Sequence, residues 1–175
     1  ELVLRQNKSV VPALVTMART SSNQLAKMHA LWTLEGLGAL DARLVREQMK
    51  HPDPKIRIQA IRASETLYKA GDKSFANDYR AMLKDADTDV VIQAMLTINL
   101  RRIPQYAELI LATKDATSVR GITEFGDLVE RERGVFHEPD GGRLRHQRCG
   151  RHGIPPGKMV FALRPPLRTK PLLHR

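Results

Sequence analysis

The amino-acid sequence predicts an all-α protein in which pairs of helices stack into an α-solenoid. The first observation is a repeated segment: residues 51–61 are similar to residues 85–95, and a weaker copy occupies residues 22–31. The copies are 30 and 34 residues apart. The second observation is that apolar residues in each copy recur at the spacing of one helix face. Because a single helix pair cannot bury its apolar face alone, three adjacent copies predict stacking against one another.

Length and composition limit the class of protein. The chain has 175 residues, of which 42% are hydrophobic, and a formal net charge of +10. This supports one domain or one domain with an appendage, and it excludes a wholly disordered chain. No apolar run approaches the roughly 20 residues of a membrane-spanning helix, and the first residues do not resemble a signal peptide. The single cysteine, Cys149, excludes an internal disulfide and a four-cysteine metal site.

Each copy of the repeat begins with a residue suited to cap a helix. Asn23, Asp53 and Asp87 occupy equivalent positions, and their short side chains can accept from unpaired backbone N–H groups. Pro54 follows at the first helical position, where its missing N–H costs nothing. Seven residues after each cap comes a small residue, which predicts a close approach of neighbouring helices. These small residues are Ala30, Ala60 and Ala94.

A shorter helical pattern lies between the copies. Apolar residues recur at helical spacing, and short connectors separate these stretches from the repeated segments. Gly38 and Gly71 lie in the connectors, where a left-handed backbone conformation often ends a helix. The predicted short helices cover residues 12–18, 42–49, 74–83 and 104–112.

Composition changes near residue 118. Residues 120–175 contain six of the ten prolines and eight of the eleven glycines, with twelve Lys and Arg against six Asp and Glu. Such composition is typical of irregular chain. The sequence therefore predicts a helical-repeat domain over residues 1–117 and an irregular, Gly/Pro/Arg-rich basic tail over residues 118–175.

No constellation for catalysis or metal binding is visible. Acidic residues are scattered singly, and none can be placed on one face with a nucleophile or a histidine, so the chain is not expected to be an enzyme. Cys149 and His152 have a C-x-x-H spacing, which matches known zinc sites poorly. No metal site is therefore predicted. Trp32 and His29 are interpreted as packing or structural residues.

A set of basic residues leaves a binding function open. They could line one concave face and hold phosphates, but the net charge of residues 1–119 is only +4 and acids are interleaved. Duplex DNA binding favours a denser basic stripe, so nucleic acid is not the partner expected first. The candidate interaction residues are Lys27, Arg57, Arg62, Arg101 and Arg102.

The second copy resembles a known repeat. Residues 52–57, Pro-Asp-Pro-Lys-Ile-Arg, followed by Ala60, are similar to the Asp-Pro-Asp-Pro-x-Val-Arg-x-x-Ala core of HEAT repeats of the bilin-lyase type. In the next copy Val91 stands where Arg57 does, so an arginine ladder between repeats would be interrupted. The resemblance covers roughly residues 8 to 113 and implies an α-solenoid.

The order of segments is similar to one family of multidomain proteins. Residues 29–38, the repeats and residues 111–116 resemble, in that order, parts of exported bacterial proteins with a dehydrogenase-like propeller, a HEAT segment and a c-type cytochrome domain. The resemblance implies electron transfer, a periplasmic or exported location, and a tail that is a degenerate or frame-shifted start of the cytochrome domain.

The resemblance fails at the haem attachment motif. Haem c is attached through C-x-x-C-H, whereas Gly150, Arg151 and His152 follow Cys149. Cys149 and His152 are the remnants of that motif, and no cofactor is expected in this chain. The expected function is a non-catalytic scaffold, a fragment of a larger exported redox protein that links a dehydrogenase-like domain to a cytochrome. The alternative is a free-standing HEAT module that binds protein or nucleic acid through a basic concave face.

Overall fold

The structure, a computed structural model, describes residues 2–136 and is all-helical over that range. The predicted all-α class is confirmed there, since the described residues contain helices and no strand. The helices are α1 (Leu2–Arg5), α2 (Val11–Thr20), α3 (Gln24–Gly36), α4 (Ala42–Met49), α5 (Pro54–Ala70), α6 (Phe75–Met82), α7 (Thr88–Leu100), α8 (Tyr106–Asp115) and α9 (Arg120–Phe136), with a 3₁₀ helix at Lys8–Val10 between α1 and α2.

Side-chain caps begin α3, α5 and α7 as predicted, and we call these three the long helices. The Asn23 side chain accepts from the backbone N–H of Ala26 at the start of α3, and Asp53 accepts from Lys55 at the start of α5. Asp87 accepts from two backbone N–H groups at the start of α7. Each cap pairs donors that no earlier helical carbonyl can reach, which fixes where the helix begins.

The connectors and the short helices also follow the prediction. Gly38 and Gly71 have positive φ angles of 59° and 122° after α3 and α5, a region that favours glycine. The helix α4 has the predicted bounds, and α2, α6 and α8 differ from them by one to three residues at each end.

The helices pack by contacts between neighbours along the chain and between the long helices. The contacts α2–α3, α4–α5, α6–α7 and α8–α9 join consecutive helices, and α5 lies between α3 and α7 and contacts both. The three predicted small residues, Ala30, Ala60 and Ala94, are completely buried. Their size lets neighbouring helices come close, because a larger side chain there would push them apart.

Apolar side chains form two clusters between these helices. The larger cluster includes residues of every helix from α4 through α9, among them Tyr79, Phe75 and Ile98. The smaller one joins α2, α3 and α4 around Leu31 and Leu34. The hydroxyl groups of Ser64 and Tyr79 are 2.9 Å apart inside the larger cluster, so the buried phenol has a hydrogen-bond partner. Burial raises the pKa of Tyr79, which keeps the phenol neutral.

The C-terminal part of the described chain differs from the prediction. Irregular structure was predicted from residue 118, whereas α9 is a regular helix over Arg120–Phe136. Ile122 and Val129 are buried, and the half-buried Phe125 packs against the same cluster. Spacings of three and four residues place these side chains on one helix face, which packs against α7 and α8.

Glycines in α9 explain why the prediction was wrong there. Gly126 lies so close to α8 that a β-carbon on it would be 2.6 Å from Cδ of Lys114. The glycine therefore permits helix packing and does not mark irregular chain. Residues 137–175, with Cys149 and His152, lie outside the described residues.

We expect Ala94→Leu to destabilise the protein by about 1–3 kcal/mol, because the added methylene groups have no space between α7 and its neighbours. The measurement is urea unfolding of the full chain followed by circular dichroism. Ala112→Leu, the same change at an exposed position of α8, is the control and should alter stability by less than about 0.5 kcal/mol. Equal unfolding midpoints for the two variants would contradict the close packing at Ala94.

Candidate interaction surface

The outer sides of α3, α5 and α7 form one surface, which we call the long-helix face. Residues two, six, nine and thirteen positions after an N-cap lie on one side of a helix. The face therefore contains Leu25, His29, Trp32 and Gly36 of α3, Lys55, Gln59, Arg62 and Thr66 of α5, and Asp89, Gln93, Leu96 and Leu100 of α7. The nine-position row consists of Trp32, Arg62 and Leu96, and all three side chains are exposed.

Hydrogen bonds join the three long helices along this face. Trp32 Nε1 donates to Gln59 Oε1 at 3.1 Å, and the Thr66 hydroxyl donates to Glu35, which links α3 to α5. Glu65 links α5 to α7, since it accepts from the side chains of Thr97 and Arg101.

Lys27 and Arg57, two of the predicted interaction residues, serve the fold. Each lies four positions after an N-cap. Lys27 is buried, and its ammonium donates to the carbonyls of Ala18 and Arg19 at the end of α2. The Arg57 guanidinium donates in the same way to the carbonyls of His51 and Pro52, after α4. Both cations therefore pair backbone carbonyls that no helical N–H satisfies, Lys27 in the last turn of α2 and Arg57 in the connector after α4.

Arg57 also makes the least exposed ion pair recorded among the described residues. Its Nη2 lies 2.7 Å from Oδ1 of Asp85, and the two side chains are 14% and 10% exposed. Burial alone would raise the pKa of Asp85, but hydrogen bonds from Arg57 and from the Asp87 backbone N–H, with the charge of Arg57, lower it below its ordinary value. The pair ties the first turn of α5 to the connector before α7.

Of the three remaining predicted residues, Arg101 and Arg102 contact other side chains of the protein, whereas Arg62 faces solvent. Arg101 forms an ion pair with Glu65 at 2.7 Å, and the Arg102 guanidinium lies over the Tyr106 ring. Arg62 is exposed, and no hydrogen bond or ion pair to another described residue is recorded for it. The five predicted residues thus do not form one basic face, since most of them are used within the protein and Arg62 alone lies in the nine-position row.

Trp32 differs from its sequence interpretation as a packing residue. Its side chain is 41% exposed, and the ring of His29 contacts it edge-on at 5.1 Å between centroids. Leu25, Leu96 and Leu100 are also exposed, and sequence reasoning did not identify them as surface residues. Counting positions from each N-cap would have found them, because two, nine and thirteen positions after a cap all lie on the outward side of the helix.

The short helices carry a separate set of ion pairs. Arg19 on α2 pairs with Glu47 on α4, and Arg46 on α4 pairs with Asp78 on α6. The hydrogen bond from Arg19 is the main reason that the pKa of Glu47 lies below its ordinary value. Both ion pairs cross from one short helix to the next.

A mostly apolar groove of about 650 Å³ lies between α6 and α8 and is bordered by Arg80 and Lys84.

Lys114 shows the same use of charge at α9. Its ammonium lies 2.6 Å from carboxylate oxygens of both Asp127 and Glu130. Hydrogen bonds to these two acids raise the pKa of Lys114. The contact fixes α9 on α8.

Within residues 2–136 no group of three or more His, Cys, Asp and Glu side chains could hold a metal ion. The same stretch contains no helix that is both long and apolar enough to cross a membrane.

Comparison with known proteins gives no relative. No family model, curated protein or solved structure matches the chain.

We expect Asp85→Asn to destabilise the protein by about 1.5–3 kcal/mol at neutral pH, because it weakens charge-assisted hydrogen bonds with Arg57. The folded-state pKa of Asp85 is lowered, so its stabilisation is fully present above the unfolded-state pKa of about 3.9. It is lost as the pH falls through the folded-state pKa. The stability difference between the two proteins should therefore shrink below about pH 4.

The measurement is urea unfolding of both proteins between about pH 2.5 and 7. Asp115→Asn, at an exposed acid at the end of α8, is the matched control and should change stability by less than about 0.5 kcal/mol at any of these pH values. A difference for Asp85→Asn that is the same at both ends of the pH range would show that its charge is not what stabilises the connector.

Proposed function

We propose that the helical unit is a non-catalytic scaffold, a HEAT-like α-solenoid that holds protein domains at a fixed separation. The observation that carries the proposal is that polar side chains link each long helix to the next long helix, and each short helix from α2 to α6 to the next short helix. The long helices are linked through Glu35 and Glu65, and the short helices through Arg19 and Arg46. Links on both sides oppose bending in either direction, which is what a spacer requires.

A recurrent use of equivalent positions supports the solenoid. Glu35 and Glu65 both lie twelve positions after an N-cap, and each accepts from a side chain on the next long helix. Lys27 and Arg57 share a position, and both pair carbonyls in or just after the preceding short helix. Units that use the same position for the same contact are expected where one structural unit is repeated.

The scaffold's context is proposed from the order of segments in the sequence. In this proposal the chain is part of an exported redox protein of the HEAT-containing family, and it connects a dehydrogenase-like domain with a c-type cytochrome. The partners would be domains of the same parent chain or a separate protein. The remnant motif at Cys149 and His152 leaves this chain itself without covalent haem.

Binding of nucleic acid through the predicted basic face has less support. Three of its five residues, Lys27, Arg57 and Arg101, are engaged with carbonyl groups or carboxylates of the protein. A cation already paired in this way releases few counterions when a phosphate approaches, so it adds little to affinity.

The scaffold proposal predicts a narrow distribution of distances across the helical unit. Spin labels attached through Lys8→Cys and Asp115→Cys in the full chain, with Cys149→Ser to remove the native thiol, would report the distance from the chain before α2 to the end of α8. Both label sites are exposed. We expect one narrow population, measured by pulsed electron resonance and unchanged between low and high salt.

Glu65→Ala in the doubly labelled chain is the variant that tests the links. It removes the side chain that joins α5 to α7, and we expect the distance distribution to broaden. Thr66→Ala tests the link between α3 and α5, and it should broaden the distribution less, because that link is a single exposed hydrogen bond whereas Glu65 accepts from both Thr97 and Arg101. A broad distribution in the doubly labelled chain without a further substitution would refute a spacer role.

Covalent haem is a second test of the proposed context. We expect the chain, expressed with a cytochrome c maturation system, to purify without Soret absorbance, because the second cysteine and the adjacent histidine are missing. The control is a chain in which residues 149–153 are replaced by Cys-x-x-Cys-His. A Soret band of the unsubstituted chain that persists after denaturation would contradict our interpretation of Cys149.

A further inference from the structure

Apolar side chains are concentrated on the long-helix face. Eight large hydrophobic residues of the described chain are exposed, and four of them lie on α3 and α7: Leu25, Trp32, Leu96 and Leu100. Single exposed apolar residues are ordinary, but a group on one face is characteristic of a binding surface. Leu25 and Leu100 are 60% and 63% exposed, so burial by a partner would remove much apolar area from water.

Positive charge runs between these apolar groups. Lys55, Arg62 and Lys69 are exposed and lie seven residues apart on α5, so they share one side of the helix. No hydrogen bond or ion pair of their side chains to another described residue is recorded. Glu35 and Glu65 are engaged within the protein, and Asp89 at the start of α7 is the exposed acid of the three long helices.

The arrangement is a central row of cations with apolar side chains on both sides. Helix α5 lies between α3 and α7, and the bond from Trp32 to Gln59 holds the indole beside α5. Trp32, Arg62 and Leu96 therefore follow one another across the face. An amphipathic helix with carboxylates between apolar side chains would meet charge with charge and apolar area with apolar area.

A short segment of this chain already packs on the same face. Helix α1 contacts α3, and Val3 lies so close to Gly36 that a β-carbon on the glycine would be 2.8 Å from Val3 Cγ2. Gly36 is thirteen positions after its N-cap, the position that Thr66 and Leu100 occupy on α5 and α7. The face thus accepts a helix at one end, while the outward side chains of α5 and α7, such as Arg62 and Leu96, remain exposed.

Charge complementarity decides between occupants. Residues 137–175 contain nine Lys and Arg against two Asp and Glu, so the chain's own C-terminal segment would be repelled. If a second copy of the chain bound through the same long-helix face, the cations of the two copies would lie against each other and repel. Nucleic acid would satisfy the cations, but its phosphates would leave Leu25, Leu96 and Leu100 without apolar contacts.

We propose that the long-helix face binds an acidic amphipathic helix of a protein partner, with Arg62 paired to carboxylates at the centre and Trp32 and Leu96 buried on either side. The inference rests on the proposed scaffold function and names the surface through which the scaffold holds a partner.

Trp32 supplies the readout, because it is the only tryptophan in the chain. The probe is a synthetic helical peptide of about 20 residues without Trp, with Leu on one face and Glu beside it. We expect its addition to the full chain to shift Trp32 emission to shorter wavelength, with a dissociation constant in the micromolar range. Replacing Glu by Lys in the peptide should abolish the shift.

Variants locate the binding site. Arg62→Glu and Leu96→Glu should each weaken peptide binding about tenfold or more, because one reverses the central charge and the other places charge in an apolar contact. Lys84→Glu, the same charge reversal at an exposed residue after α6, is the matched control and should bind as the parent does. Circular dichroism would verify that all three variants keep their helices.

Other outcomes would overturn the proposal. Absence of any emission shift, or equal weakening by Lys84→Glu, would remove the long-helix face as the site. Tighter binding of a duplex of about 20 base pairs, with a steep salt dependence, would assign the face to nucleic acid. The scaffold proposal is judged separately: a narrow distance distribution with no peptide binding would refute only the docking surface, whereas a broad distribution would refute the spacer.

Discussion

The packing of α5 between α3 and α7 is the constraint on which the rest of the structure depends. Ile56, Ala60 and Ile61 are completely buried, and each buried isoleucine stabilises the fold by about 1.5–3 kcal/mol relative to exposure. Since α5 cannot bury these side chains by itself, its neighbours are required for its stability. The N-cap at Asp53 and the positive φ of Gly71 then set the length over which α5 can make these contacts.

Close packing of helices also determines how charge is used. The packed helices bring carbonyl groups and carboxylates of neighbouring elements within reach, and Lys27, Arg57 and Arg101 pair with them. A net charge of +10 therefore does not translate into a surface of the same charge. Overall charge describes solubility and long-range attraction, whereas the structure decides which cations remain available to a partner.

The sequence predicts those features that depend on neighbouring residues. The caps Asn23, Asp53 and Asp87 were predicted correctly because a cap and its helix are adjacent. The ion pair of Arg57 with Asp85 was missed, because its partners lie 28 residues apart and only the fold brings them together. Helix α9 was missed for a related reason: the many glycines after residue 118 were interpreted as a sign of irregular chain, although one of them, Gly126, is needed where α9 meets Lys114.

Position after the N-cap explains why similar basic residues have different roles. Four positions after the cap, a side chain points back toward the preceding chain, so Lys27 meets the last carbonyls of α2 and Arg57 meets carbonyls of the connector after α4. Nine positions after the cap, five residues add about 140° of rotation, and Arg62 reaches solvent instead. Val91, four positions after Asp87, is buried and has no charge to offer, so this contact is absent from the third long helix. Position after the N-cap thus separates structural cations from available ones by helical geometry, and Arg62 belongs to the second group.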